Sequence, residues 1–277
     1  MSHKPSYKSR NNDLSPGRSL KESWGELEKM LKSRRFTVFL DFDGTLTPVQ
    51  PRPELAELTD AMRGKLARLA SRVRVVIVSG RDRTEVAALV GLEDLLYAGC
   101  HGFDIEAPGL PPMPKFDGAA TLADISDLGS AITSAVSSIP GVIVKVKQWA
   151  IAVHYRTVDE AKAEGLESKV MGLINAIPKF RARSGRKVIE IVPDVDWHKG
   201  RAVLWLASIF DDLDGGSVPI YVGDDVTDED AFCCLAGKGI TVFVNSSKQL
   251  TAAEYCADDP EEVGWFLDKL FSLVTIP

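Results

Sequence analysis

Five short runs of residues that are apolar on both faces constrain the fold of this chain more than anything else in it. TVFLDF, VRVVIVSG, LLYAGCHG, VPIYVGDD and GITVFVN are rich in Val, Ile and Phe and lack the alternation of a half-exposed strand. Strands buried on both sides belong to a parallel sheet with helices on each face. The stretches between and after them supply that cover. ELTDAMRGKLARLAS, RTEVAALVG, HKGRAVLWLASIF, DEDAFCCLAG and PEEVGWFLDKLFSLV carry apolar residues at helical spacing, and an amphipathic helix from Leu20 to Leu31 precedes the first strand. The expectation is an α/β core with a Rossmann-like parallel sheet.

The middle of the chain breaks this pattern. A Pro/Gly-rich linker, APGLPPMPKFDG, leads into helix-like stretches at Thr121–Ser138 and Asp159–Ala176. Between and after them lie VIVKVKQWAIAVHYR and KFRARSGRKVIEIVP, which alternate apolar with polar. Alternation suits an antiparallel sheet with one exposed face. The reading is an inserted α+β domain over 108–192, a parent core made of 20–107 and 193–277, and a disordered tail over 1–19.

With 277 residues, 45% of them hydrophobic and 26% charged, the chain has the composition of an ordinary globular protein. No apolar run approaches the roughly 20 residues of a membrane helix, and the N-terminus lacks the apolar stretch of a secretory signal. A net charge of −6 argues against nucleic acid as a partner. The four cysteines form no CxxC pair, so they read as reduced structural thiols, with Cys233 and Cys234 in the core. A cytoplasmic monomer acting on a small molecule, without nucleic acid or membrane, is expected.

The first strand ends in two acids, Asp41 and Asp43, where unpaired charge is costly. Residues two apart on a strand point the same way, so both can face one site while Phe42 packs inward. Parallel sheets gather functional groups at the carboxyl ends of their strands. Two more strands end in polar groups, Ser79–Gly80–Arg81 and Asp224–Asp225 followed by Asp228, and Lys199 begins a helix. Carboxylates gathered this closely repel one another unless a cation lies among them, and Mg²⁺ takes oxygen ligands together with substrate phosphate. The metal candidates are Asp41 with Asp43 beside it, Asp224 as the best additional ligand, and Asp225 and Asp228 behind them to orient ligands or waters. In that setting Asp41 serves as nucleophile and Asp43 as general acid and base, while Ser79 and Lys199 hold the phosphoryl oxygens. Plainer roles stand beside these: Ser79 is also suited to capping a helix, and Asp228 and Glu229 to a helix's first turn.

In the inserted segment, Lys179 to Lys187 holds five basic residues and no acid. It reads equally well as a solvated sheet edge or as an anion-binding surface. Glu190 follows, sharing a side of its strand with Val188 and Val192, a lone acid placed to accept hydrogen bonds from sugar hydroxyls.

DFDGT, VSGR, Lys199 and GDDxTD, in that order, resemble the four motifs of the haloacid dehalogenase-like (HAD) phosphatase superfamily. More narrowly, DFDGTLTPV, VSGR, GCHGFDI, VKQWAIAVHYR, GRKVIEIVP, HKGRA and YVGDDVTDEDAF together look like trehalose-6-phosphate phosphatases over nearly the whole chain from Phe36. That resemblance implies a HAD-like Rossmannoid core with an inserted cap, and Mg²⁺-dependent hydrolysis of trehalose 6-phosphate to trehalose and phosphate. It makes Asp41 the nucleophile, Asp43 the acid/base and, through its backbone carbonyl, a metal ligand, and Asp224 a magnesium ligand. It puts Lys147, Arg156, Arg183, Lys187 and Glu190 on the sugar, with Gly80 and Arg81 beside the substrate and His101 and Gly102 at the core–cap junction. Two positions depart from the family pattern: Cys100 and His198 stand where Asn is common. Some family members carry a large glucosyltransferase domain that these 277 residues do not contain, so a stand-alone phosphatase is expected. Another sugar phosphate, such as sucrose phosphate or a mannosyl-glycerate phosphate, is the nearest alternative substrate, and a non-catalytic sugar-phosphate sensor the alternative from another class.

Overall fold

The computed structural model describes residues 14–106, 109–114, 116, 120–185, 187–210, 216–245 and 249–274. In chain order the elements are β1 (Arg18–Ser19), α1 (Leu20–Leu31), β2 (Arg35–Leu40), α2 (Asp60–Ala70), β3 (Val75–Val78), α3 (Arg83–Val90), β4 (Leu96–Gly99) and β5 (Asp104–Ile105). The middle contributes α4 (Leu122–Val136), β6 (Ile143–Val146), β7 (Ile151–His154), α5 (Glu160–Asn175), β8 (Phe180–Gly185) and β9 (Val188–Pro193). Then come α6 (Lys199–Ile209), β10 (Ser217–Gly223), α7 (Val226–Leu235), β11 (Ile240–Val244), β12 (Tyr255–Ala257) and α8 (Pro260–Val274).

Two sheets result. The larger runs β1-β12-β11-β10-β2-β3-β4-β5 and is parallel except for β5 at its edge. Alternate residues of β2 divide between its two faces. Val38 and Leu40 pack with α1, α2, α3 and α8 side chains, whereas Phe39 packs with those of α6 and α7. Both faces are thus covered, which is why the strand carries no polar alternation. Leu40 lies opposite Val222 of β10 and Ile77 of β3, so these three strands finish side by side. Whatever follows them must emerge at one place on the sheet edge. Among the described residues no helix is long and apolar enough to cross a membrane.

The smaller sheet is antiparallel, in the order β6-β7-β9-β8. Ile151, Val153, Ile189 and Ile191 pack beneath α4 and α5, with Leu128, Ile132, Leu166 and Val170 among the facing residues. The opposite row of the register runs Lys145, Ala152, Glu190, Arg183. This is the face turned away from the helices, and polar residues there are free to meet the core.

Three local readings are corrected. LLYAGCHG is a strand only to Gly99, because Cys100 and His101 take positive φ values of 50° and 56°. Their N–H groups donate to the carbonyls of Arg81 and Ser79 at 2.7 and 2.9 Å, which turns the chain into a short 3₁₀ segment against the neighbouring loop. Cys233 is exposed and Cys234 half-buried, since α7 turns Ala231, Phe232 and Leu235 inward and rotates the cysteines outward. Of the tail, residues 1–13 lie outside the described residues. Arg18–Ser19 instead form β1, parallel to β12, and Arg18 donates to Glu26, Glu254 and the Tyr255 hydroxyl.

Candidate active site

Asp41 follows β2 directly, and its N–H donates to the Val222 carbonyl at 2.9 Å, so β10 fixes its backbone. Lys199, the first residue of α6, reaches the same point from the other side of the sheet edge. Its Nζ donates to Asp41 Oδ1 and Asp228 Oδ1, both at 2.8 Å. All three groups are buried: Lys199 is 3% exposed, Asp41 4% and Asp228 0%. Asp228 is further held by the Tyr221 hydroxyl at 2.5 Å and by the N–H groups of Asp224 and Asp225 at 3.1 and 3.0 Å. It therefore closes the first turn of α7 as a capping residue while it holds the Lys199 ammonium.

Two glycines make room for these acids. Gly44 has φ +84°, and a Cβ there would sit 2.0 Å from Asp224 Oδ2. At Gly223 a Cβ would fall 2.4 Å from Asp228 Cγ. A side chain at either position would displace a carboxylate.

Asp41, Asp224 and Asp228 each offer an oxygen, and these atoms lie within 4.8 Å of one another. Two buried carboxylates and the half-buried Asp224 lie around one ammonium. Burial pushes Asp41 up to about 7 against the pull of Lys199, with Asp228 adding to the rise. Asp224 is raised to about 9, first by burial and then by Asp41 and Asp228. Lys199 is held above the ordinary lysine range although burial opposes it, because Asp228 and Asp41 outweigh that cost. Burial and the neighbouring Asp228 push the Tyr221 hydroxyl well above its usual range. Such a cluster keeps its acids ionised only with additional positive charge. An oxygen-only donor set without His or Cys suits a hard dication such as Mg²⁺.

Asp43 and Asp225 are not part of this group. The Asp43 carboxylate is bound by Arg81, Nε to Oδ2 and Nη2 to Oδ1, both at 2.7 Å. Asp225 is the N-cap of α7, and its Oδ1 accepts from the Val226 N–H at 2.7 Å. Ser79 is 1% exposed, and its Oγ accepts from the Arg81 N–H at 3.1 Å. Gly102 is committed to packing, since its carbonyl accepts from Trp197 Nε1 at 2.7 Å and a Cβ there would strike Ala202.

The smaller sheet meets the core over the same edge. Lys147 Nζ donates to the Gly80 carbonyl at 2.9 Å and lies 3.8 Å from Glu190 Oε1. His101 Nε2 is 3.0 Å from Glu190 Oε2. Arg156 donates to the Pro51 carbonyl, and Lys145 pairs with Glu54. The structure thus brings Gly80, His101, Lys147 and Glu190 together beside the Ser79 loop. Lys187 stands apart: its φ of 61° turns it back towards Glu160 and the Tyr155 ring. The Arg183 side chain lies outside the described residues, although its backbone pairs with Glu190. The sequence reading passed over Tyr221 and Thr45, whose Oγ1 donates to Asp224 Oδ1 at 3.4 Å. Tyr221 carried no signal within an apolar strand. Thr45 lies inside the first motif, where the two acids are the stronger signal.

The trehalose-phosphatase family model matches residues 39–261. A trehalose 6-phosphate phosphatase from Zea mays is 36% identical over 254 residues, spanning 86% of this chain and 70% of its own length. A crystal structure described as a trehalose-6-phosphate phosphatase related protein superposes with a TM-score of 0.72 at 24% identity, covering 86% of this chain and 97% of that one. A haloacid dehalogenase-like hydrolase from Bacteroides thetaiotaomicron matches with a TM-score of 0.61 at 16% identity, over 86% and 100% of the two chains. At such identities the two structures speak to the fold, an α/β core with a cap, whereas the sequence match speaks to descent. This chain belongs to the trehalose-phosphatase family, phosphoric monoester hydrolases built on the HAD-like fold.

Proposed function

We propose that the chain hydrolyses trehalose 6-phosphate to trehalose and phosphate, with Mg²⁺, through an aspartyl-phosphate formed on Asp41. The observation that carries this reading is the buried Lys199 bridging Asp41 and Asp228 beside Asp224. Lys199 occupies Asp41 Oδ1, which leaves Oδ2 as the attacking atom. Attack on phosphorus breaks the bond to the sugar oxygen, and Asp43 supplies the proton which that oxygen needs. Water then attacks the phosphorus, Asp43 takes a proton from it, and the bond to Asp41 breaks to release phosphate. Ser79, its Oγ already accepting from Arg81 N–H, keeps its hydroxyl proton to donate to a phosphoryl oxygen. Mg²⁺ held by Asp41 and Asp224, with Asp228 behind them, would offset the clustered charge and attract the phosphate group.

The disaccharide is assigned from the family and from the polar face of the cap. Glu190, Lys147 and His101 form a set of acceptors and donors over the Ser79 loop, suited to hydroxyl groups beyond the phosphate. Phosphate release from trehalose 6-phosphate, sucrose 6-phosphate and glucose 6-phosphate tests both parts. Turnover of the first, abolished by chelator and by Asp41→Asn, is the expected result. Preferred turnover of another sugar phosphate would overturn the substrate assignment, and full activity in Asp41→Asn would overturn the chemistry.

A further inference from the structure

The sequence reading placed Arg81 on the substrate. The geometry points to another role: Arg81 is a positioning residue that acts through Asp43 and ties this acid/base group to the loop gripped by the cap. This rests on Asp43 being the proton donor proposed above. Arg81 is 6% exposed, and its guanidinium makes four hydrogen bonds to protein groups. Two go to Asp43, one to Glu85 Oε1 at 2.5 Å and one to the Pro53 carbonyl at 2.7 Å. Only five N–H groups exist on a guanidinium, so little donor capacity is left for a phosphate. The Phe42 ring lies 5.6 Å from its centre and limits the remaining approach.

A two-point fork fixes the plane of a carboxylate as well as its position. Asp43 is otherwise weakly restrained: its side chain is 43% exposed, against 6% for Asp41. Without Arg81 it would sample several rotamers, of which few place a proton against the leaving oxygen. The Pro53 carbonyl connects the fork to residues 51–54. The cap holds that same segment through Arg156 on the Pro51 carbonyl and Lys145 on Glu54. Cap seating and the direction of Asp43 therefore share one short stretch of backbone.

The test is single-turnover release of the leaving group from phenyl phosphates of graded leaving-group acidity, using Arg81→Gln, Arg81→Lys and Asp43→Asn. A poor leaving group needs the proton, and a good one does not. For Arg81→Gln the expected loss is about 10²-fold with the poorest leaving group and under about 5-fold with p-nitrophenyl phosphate, with Asp43→Asn showing the same trend. Arg81→Lys keeps the charge without the fork and should recover only part of the loss. The double variant Arg81→Gln/Asp43→Asn should be no worse than Asp43→Asn alone. The slope is a ratio within each variant, so a smaller folded fraction does not alter it. A loss in Arg81→Gln that is uniform across the series, or that adds fully to Asp43→Asn, would overturn the assignment and return Arg81 to phosphate binding or plain packing. If Asp43→Asn itself shows no dependence on the leaving group, the acid role of Asp43 fails, and the Arg81 assignment falls with it.

Discussion

The Lys147 ammonium in the cap donates to the Gly80 carbonyl in the core at 2.9 Å, and Glu190 lies 3.8 Å from the same ammonium. The two sheets therefore meet through groups that also suit a sugar. Binding energy taken from a remote part of a substrate is spent at the reacting centre, so losing it affects large substrates selectively. Lys147→Ala and Glu190→Ala are expected to lower kcat/KM for trehalose 6-phosphate by about 10²-fold or more, each side chain contributing a few kcal/mol to charged hydrogen bonds. Hydrolysis of p-nitrophenyl phosphate should stay within about 3-fold of wild type, since it has no sugar to hold. Steady-state kinetics on both substrates check this. Equal losses on the two would place these residues in the general machinery instead.

Lys199 compensates Asp41 and Asp228 in a buried setting, so its removal affects folding and chemistry together. Breaking a buried ion pair from one side costs about 3–5 kcal/mol when the remaining charge stays uncompensated. Lys199→Met should show this cost in urea denaturation without metal, together with a fall in kcat of at least about 10³-fold. Because Asp41 is already raised to about 7, it can protonate in the variant, so the stability cost should shrink in acid. A variant as stable as wild type near pH 8 would contradict the arrangement.

The strand-end acids were legible because two-sided burial writes an unbroken apolar run, and a polar residue after such a run has little choice of position. Asp41 and Asp224 followed from that alone. The Asp43 side chain does not join the Asp41, Asp224 and Asp228 carboxylates, because residue 43 already lies in the loop, where alternation no longer fixes direction, and Arg81 captures it. In the cap, register carries Glu190 to the face that meets His101 and Lys147, but the turn at Lys187 points that residue elsewhere. β1 and β12 are two and three residues long, too short for any periodicity to register. Asp228 was placed equally in a helix turn and in the site. It serves both, its Oδ2 capping α7 and its Oδ1 bound to Lys199 and Tyr221.

Stability should depend on pH in an unusual direction when no metal is bound. Asp41 and Asp224 are raised to about 7 and about 9 in the folded chain, above the ordinary carboxylate value of 3.8. Between those limits the native state holds more protons than the unfolded chain, so unfolding free energy falls as pH rises through about 4 to 9. Mg²⁺ binds the ionised acids and offsets this loss, so its stabilisation should grow with pH. Thermal denaturation with and without Mg²⁺ should show a larger rise in Tm at about pH 8.5 than at about pH 5.5. A rise of equal size at both would mean that these acids do not hold the ion.

Gly44 offers a sharper test of the same site, because the substitution adds only a methyl group. The residue has φ +84°, which costs an L-residue about 1–2 kcal/mol, and the new Cβ would lie 2.0 Å from Asp224 Oδ2. Backbone strain alone would lower Tm and leave metal affinity unchanged. Displacement of Asp224 would act on the metal directly and would also break the hydrogen bond from Thr45. Gly44→Ala is therefore expected to weaken Mg²⁺ binding by at least about 10-fold, as loss of one carboxylate ligand would. The Mg²⁺ concentration for half-maximal activity, compared with that of Asp224→Asn, distinguishes the two effects. A destabilised Gly44→Ala with wild-type Mg²⁺ dependence would show that the loop yields and Asp224 stays in place.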